Sequence, residues 1–159
     1  MAEISTVEEK LAEVTGLAQA AQGAIKKVAP MIDDESVSES LEKMKQEAAE
    51  TEERCTSAIE KRDGRKTAIL DKARETKQEA TEMMSTYLGD DSDGLDGLEF
   101  MTMAEAGEVG HWEILGELSQ RAGESELEEL TGWALPIQER HLAEVRKGSL
   151  TLASQEDIE

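Results

Sequence analysis

The chain has 159 residues and carries 37 acidic side chains against 17 basic ones, for a formal net charge of −20. A charge this negative excludes nucleic-acid backbones and anionic membranes as partners held by long-range attraction. The length suits one domain with one core, and no run of about 18 apolar residues reads as a membrane span.

Abundant Ala, Glu, Lys, Leu and Gln, with Pro30 and Pro136 as the only prolines, favour an all-α protein. The acidic surface resembles that of proteins from salty cytoplasms, and a plainly solvated helical surface explains it equally well. Cys55 is the single cysteine, so no internal disulfide forms, and its place on an apolar stripe marks it as a buried, inert thiol. The start, Met1-Ala2-Glu3-Ile4, lacks the basic region and apolar core of a secretion signal, which makes a cytoplasmic protein the expectation.

The first helix is predicted over about residues 6–29. Ser5 or Thr6 caps it, and Glu8 and Glu9 sit in the first turn, where the helix dipole favours them. Val7, Leu11, Val14, Ala18, Ala21, Ile25, Val28 and Ile32 alternate spacings of four and three, a bundle seam with no ionisable residue on its midline. Gln22 lies near its edge, with Gln19 further round.

The second helix runs from near Asp34 or Ser36 to about Arg62, with Val37, Leu41, Met44, Ala48, Cys55, Ala58 and Ile59 on its stripe. Thr51 faces in, Glu47 and Glu52 flank the stripe, and Glu50 and Glu53 project away. Asp63-Gly64 breaks the chain. A third, partly exposed helix follows over about residues 65–87. The acidic segment Gly89–Gly94 superficially resembles a calcium loop, but aligning Gly94 with the sixth position puts Gly89 and Phe100 where carboxylates are required, so a helix-capping turn is the better reading.

The fourth helix spans about residues 95–122. Leu98, Met101, Ala104, Trp112, Leu115, Leu118 and Ala122 gather on one broad stripe, and Glu108 falls near its centre. His111 lies one turn on, towards the same edge. A carboxylate there is costly unless paired, ligated or protonated. Gly123 suits the end of this helix, and Ser125 with Glu128 has the pattern of a capping box for the next. In the fifth helix Leu127, Leu130, Ala134, Ile137 and Val145 form the stripe, with His141 on its midline and Gln138 beside it. Pro136 should kink or loosen this helix. Two antiparallel helices thus bring Glu108, His111, Gln138 and His141 inward. The bundle domain is placed at residues 1–148, with a polar tail at 149–159 in which Leu150 and Leu152 are candidates to dock.

The run Val109-Gly110-His111-Trp112-Glu113-Ile114 resembles the valine-glutamate-histidine-tyrosine-glutamate-isoleucine run of the YciE/YciF-type family of bacterial stress-associated, ferritin-like proteins. Glu50-Thr51 is similar to that family's glutamate-threonine pair, and the helix order fits from about Val7 to Lys147. The resemblance implies a ferritin-like four-helix bundle with an additional helix. It also implies a di-iron or di-manganese centre built from a glutamate on each of two helices and a Glu-x-x-His pair on each of the others. The sequence departs from that pattern. Gln138 stands where the second Glu-x-x-His needs its glutamate, Gly110 replaces an acidic residue, and the first helix offers only Gln19 and Gln22.

Two readings follow. In one, Glu108, His111 and His141, with Glu50 closing the site and Gln138, Glu47 and Glu53 as secondary candidates, hold iron or manganese for oxidase, peroxide-scavenging or storage chemistry. Trp112 or Tyr87 would then be a redox neighbour. In the other, the metal site is degenerate or absent and the bundle has a structural or partner-binding role, with Glu108 and His141 joined in a buried hydrogen bond. Glu105, Glu113 and Glu117 are expected to be solvated. A homo-oligomer, most simply a dimer, is the expected assembly, with the protein partner open.

Overall fold

A computed structural model describes residues 3–159; Met1 and Ala2, part of the acidic start discussed above, lie outside the described residues. Five helices account for most of the chain: α1 (Thr6–Val28), α2 (Glu35–Glu60), α3 (Lys66–Tyr87), α4 (Gly94–Ala122) and α5 (Ser125–Ser154). Among the described residues there is no strand, and no helix is long and apolar enough to cross a membrane.

The helix ends follow local chemistry. At the start of α1, Ser5 Oγ accepts from the Glu8 amide at 3.1 Å while Glu8 Oε1 accepts from the Ser5 amide at 2.9 Å. This reciprocal cap satisfies two amide donors that a helix start leaves orphaned. Pro30 falls in the short 3₁₀ turn Ala29–Met31 that ends α1. Asp34 caps α2 through the Val37 amide, and Asp93 and Asp96 form a second reciprocal cap on α4. The acidic segment before α4 is therefore a capping turn, as its spacing predicts.

Gly123 closes α4 in the left-handed region, at φ +69°, with its amide donating to the Gln120 carbonyl and that of Glu124 to the Ser119 carbonyl. The capping box expected at Ser125 does not form. Those two bonds already close the turn, so α5 starts at Ser125 itself, with Glu124 in the cap position and no side-chain bond.

α5 runs through Pro136 and past Gly148 to Ser154, so the polar tail expected from residue 149 is mostly helix. Leu152 packs on the core while Leu150 stays exposed. Gln155 Nε2 donates to Asp34 Oδ2 at 2.9 Å, tying this end of α5 to the start of α2.

Helices α1, α2, α5 and α4 enclose the core in that ring order, and α3 lies outside against α1. α1 and α5 run one way, α2 and α4 the other. The link from α2 to α4 is thus one long crossover that carries α3. Gly16 makes the α1–α3 approach possible, because a Cβ there would strike the Ala73 carbonyl and Thr76. α3 buries only Ile69 and Ala73, in keeping with its mixed charge pattern.

On α2 the buried residues keep the alternating four-three spacing expected of them: Val37, Leu41, Met44, Ala48, Thr51, Cys55 and Ala58. The core divides into two apolar clusters. One surrounds Leu11, Ile59, Trp112 and Leu115; the other surrounds Ile25, Leu41, Leu98 and Met101. Between them lies a polar layer.

Candidate functional site: a polar layer at mid-bundle

The polar layer is built where the four-three spacing of α4 and α5 reaches mid-length. On α4 the buried series Met101, Glu105, Glu108, Trp112 places two carboxyls on consecutive inward positions. On α5 the series Ala134, Gln138, His141, Val145 places an amide and an imidazole opposite them. Glu105 and His141 are 2% exposed, Glu108 and Gln138 4%. α1 and α2 contribute small residues to their own seams, among them Ala18, Ala21, Ala48 and Thr51.

Gln138 Nε2 donates to Glu108 Oε2 in a short hydrogen bond. Burial pushes the Glu108 carboxyl well above its ordinary range, and the neighbouring Glu105 adds to this, with Gln138 pulling the other way. Burial likewise raises Glu105. Two carboxylates three residues apart on one buried helix face cannot both ionise without large cost, so the pair keeps at least one proton at neutral pH. Glu105 Oε2 has no hydrogen-bond partner.

A second set lies where α2 meets α5. Arg140 forks onto Glu47, with Nη1 to Oε1 at 2.7 Å and Nη2 to Oε2 at 2.5 Å. His141 Nε2 lies 3.1 Å from the same Glu47 Oε1. The Arg140 hydrogen bonds hold Glu47 down at about 2 against the opposing effect of burial. Burial lowers the pKa of His141, and Glu47 only partly restores it. A neutral imidazole facing an ionised carboxylate carries its proton on Nε2. That leaves Nδ1 bare, 4.0 Å from Glu105 Oε2 and too far for a direct hydrogen bond.

The residues singled out from sequence separate into two groups. Glu108, Gln138 and His141 reach the layer, and Glu47, a secondary candidate, does too. Trp112 is buried beside it, as expected of core. His111 does not join them. It sits at the α4 surface, its Nδ1 2.8 Å from the Gly107 carbonyl and its Nε2 4.0 Å from Glu13 Oε2 on α1. Three residues past Glu108, it has turned towards α1 and solvent. Glu50 points outward and pairs with Arg54 at 3.2 Å, and exposed Glu53 lies on the same outer side near Trp133.

Tyr87 is partly exposed and packs on Phe100, with ring centroids 5.6 Å apart, so it is not a neighbour of the layer. The buried pair expected between Glu108 and His141 is replaced by Glu108–Gln138 and Glu47–His141. Glu113 and Glu117 are not buried, as expected, but Glu105 is, contrary to its reading as a solvated charge. Its signal was present: it lies four residues after Met101 and three before Glu108. Ala104 drew the stripe one position aside because it is apolar.

These donors do not fit a metal centre. Arg140 occupies both Glu47 oxygens, Gln138 occupies Glu108, and the two carboxylates nearest His141 face opposite ring nitrogens, so one ion could not take all three. Among the described residues no group of three or more His, Cys, Asp or Glu side chains is arranged to hold an ion.

An apolar cleft of about 220 Å³ between α1, α3 and α4 reaches this layer, lined by Leu17, Ala20, Met84 and Met101 with Glu105 and Glu108. His111 also lines it. Elsewhere, Gln19 and Gln22 donate to the two oxygens of Glu52 at 3.0 and 2.8 Å, a link between α1 and α2. Cys55 is fully buried, and burial pushes its thiol up to about 12, which leaves it unreactive. No protein-family model matches the chain, and no curated protein matches it in sequence.

Proposed function

We propose that this chain is a ferritin-like bundle in which a structural hydrogen-bond network stands where a dinuclear metal centre would lie, and that it works by binding, as a structural or partner-binding protein, rather than by redox chemistry. The ring order with one long crossover supports the ferritin-like reading, since bundles of that class have a single such connection. The depth of the polar layer supports it too. The stress-related role belongs to this reading through the sequence resemblance; the cytoplasmic location and the homodimer are parts of the same proposal.

The observation that carries it is that the would-be ligands are already spent. Glu47 is forked by Arg140, Glu108 is held by Gln138, and His111 and Glu50 face outward. A ferritin-like centre needs free carboxylates converging from several helices.

The test is the metal content of untagged protein, followed by anaerobic Fe(II) titration with oxygen uptake. Metal far below one ion per chain and no oxygen uptake are expected. Near-stoichiometric iron or manganese that disappears in Glu108→Ala or His141→Ala would overturn the proposal in favour of an oxidase or storage role.

A further inference from the structure

α2 and α3 both pack on α1 and touch each other little. A groove of about 680 Å³ runs between them, with Gln19, Gln22 and Gly23 of α1 at its floor. Its walls carry Lys45 and Glu52 from α2 and Arg74 and Lys77 from α3, and Lys26 of α1 completes the lining charge. Four cations thus meet one carboxylate, in a chain whose acidic side chains outnumber basic ones 37 to 17. That carboxylate is not spent on the lysines. Glu52 accepts from the amides of Gln19 and Gln22 through its two oxygens, at 3.0 and 2.8 Å. Arg74 pairs with Asp71 of its own helix at 2.8 Å. Among the described residues Lys26, Lys45 and Lys77 form no ion pair. Three like charges from three helices therefore line one groove without a counter-charge from the chain. Their mutual repulsion is reversed by an anion placed between them. Gly23 keeps the floor open, since a Cβ there meets nothing within 4 Å.

We propose that this groove binds a small anion bearing two linked phosphate groups, held by the ammonium groups of Lys26, Lys45 and Lys77 with the Arg74 guanidinium beside them. A phosphate group carries about −1.5 to −2 charge at pH 7 and several strong acceptor oxygens, so two linked groups match three lysines better than one does. Lysine ammonium groups are compact point charges with three donors each, which suits phosphate, whereas a planar carboxylate is matched best by the arginine fork. The chain as a whole is strongly acidic, so a nucleic-acid strand or an anionic membrane would meet repulsion beyond the groove. A small anion does not extend that far, and about 680 Å³ lies within the roughly 300–1,000 Å³ of small-molecule sites. No residue lining the groove belongs to the mid-bundle layer, so phosphate binding here is independent of whether that layer takes metal.

The test is calorimetric titration of the full chain, in EDTA and at matched ionic strength, with pyrophosphate, orthophosphate and citrate. Pyrophosphate is expected to bind once per chain, about tenfold or more tighter than either of the others. Lys45→Gln combined with Lys77→Gln should lower its affinity by about tenfold or more. Arg146→Gln combined with Lys147→Gln removes the same charge from the exposed side of α5 and should leave the affinity unchanged. Gly23→Leu replaces a mid-helix glycine that has open space above it, so it should melt no lower than the parent and block the groove without altering any charge. No pyrophosphate binding, or citrate or orthophosphate bound as tightly, would overturn the proposal. So would an affinity that survives the groove lysine pair or Gly23→Leu, or one that falls equally in the α5 pair.

Discussion

Gln138 is the side chain on which the buried Glu108 carboxyl depends. Replacing it by Leu keeps the volume roughly and removes the hydrogen-bond partner of a buried carboxyl. Leaving a buried polar group unmatched costs about 1–3 kcal/mol, so Gln138→Leu should lower unfolding stability by that amount in urea titrations. No loss would mean that Glu108 finds solvent or another partner. Glu105 sets a pH dependence. The folded chain retains its proton up to about 8, whereas the unfolded chain releases it near 4.5. The native state therefore binds more protons between those values, and stability falls as pH rises through the window. His141 opposes this just below 6.5, where its lowered pKa makes the unfolded state the better proton binder. Stability curves from pH 5 to 8 should slope down less in Glu105→Gln than in the parent; equal slopes would contradict the assignment.

At the scale of the helices, the seams of α1 and α2 were legible because their apolar residues repeat at four and three without interruption. The inward faces of α4 and α5 were only half legible. Their spacing continues through Glu105, Glu108, Gln138 and His141, but hydropathy rewards Ala104 and Ile137 instead, so spacing and polarity give conflicting answers where the chemistry lies. Glu47 and Arg140 were harder still, since their fork joins α2 to α5 across 93 residues and no local pattern announces it. Close packing between helices is also invisible in hydropathy.

Gly16→Ala should push α3 off α1, because the new methyl meets backbone at Ala73, and overpacking of this kind costs about 1–3 kcal/mol. Gly110→Ala should do the reverse. A Cβ there meets nothing within 4 Å, and removing a mid-helix glycine gains about 0.5–1 kcal/mol. Thermal unfolding of the two variants checks both signs.

For the whole molecule, the net charge of −20 is spread over a surface with few basic partners. Several ion pairs tie the helices together at the ends, among them Arg65–Glu8 at 2.7 Å and Arg62–Glu124 at 2.8 Å. Self-repulsion of the remaining carboxylates opposes compaction, and salt screens it over about 10 Å at 0.1 M. The melting temperature should therefore rise between low and moderate NaCl; a fall would mean that the ion pairs outweigh the repulsion.

The same melting measurement addresses the mid-bundle layer. A ligand that binds only the folded state at about 100 times its Kd adds about 2.7 kcal/mol, which in a domain of 150–250 residues amounts to a shift of several degrees. The decisive measurement is the melting temperature of untagged protein with EDTA, with excess Mn²⁺ and with anaerobic Fe²⁺. If Glu47 is committed to Arg140 and His141, and Glu108 to Gln138, the three curves coincide once ionic strength is matched. A saturable rise with either metal, abolished in Glu108→Ala, would show that the layer is a metal centre after all.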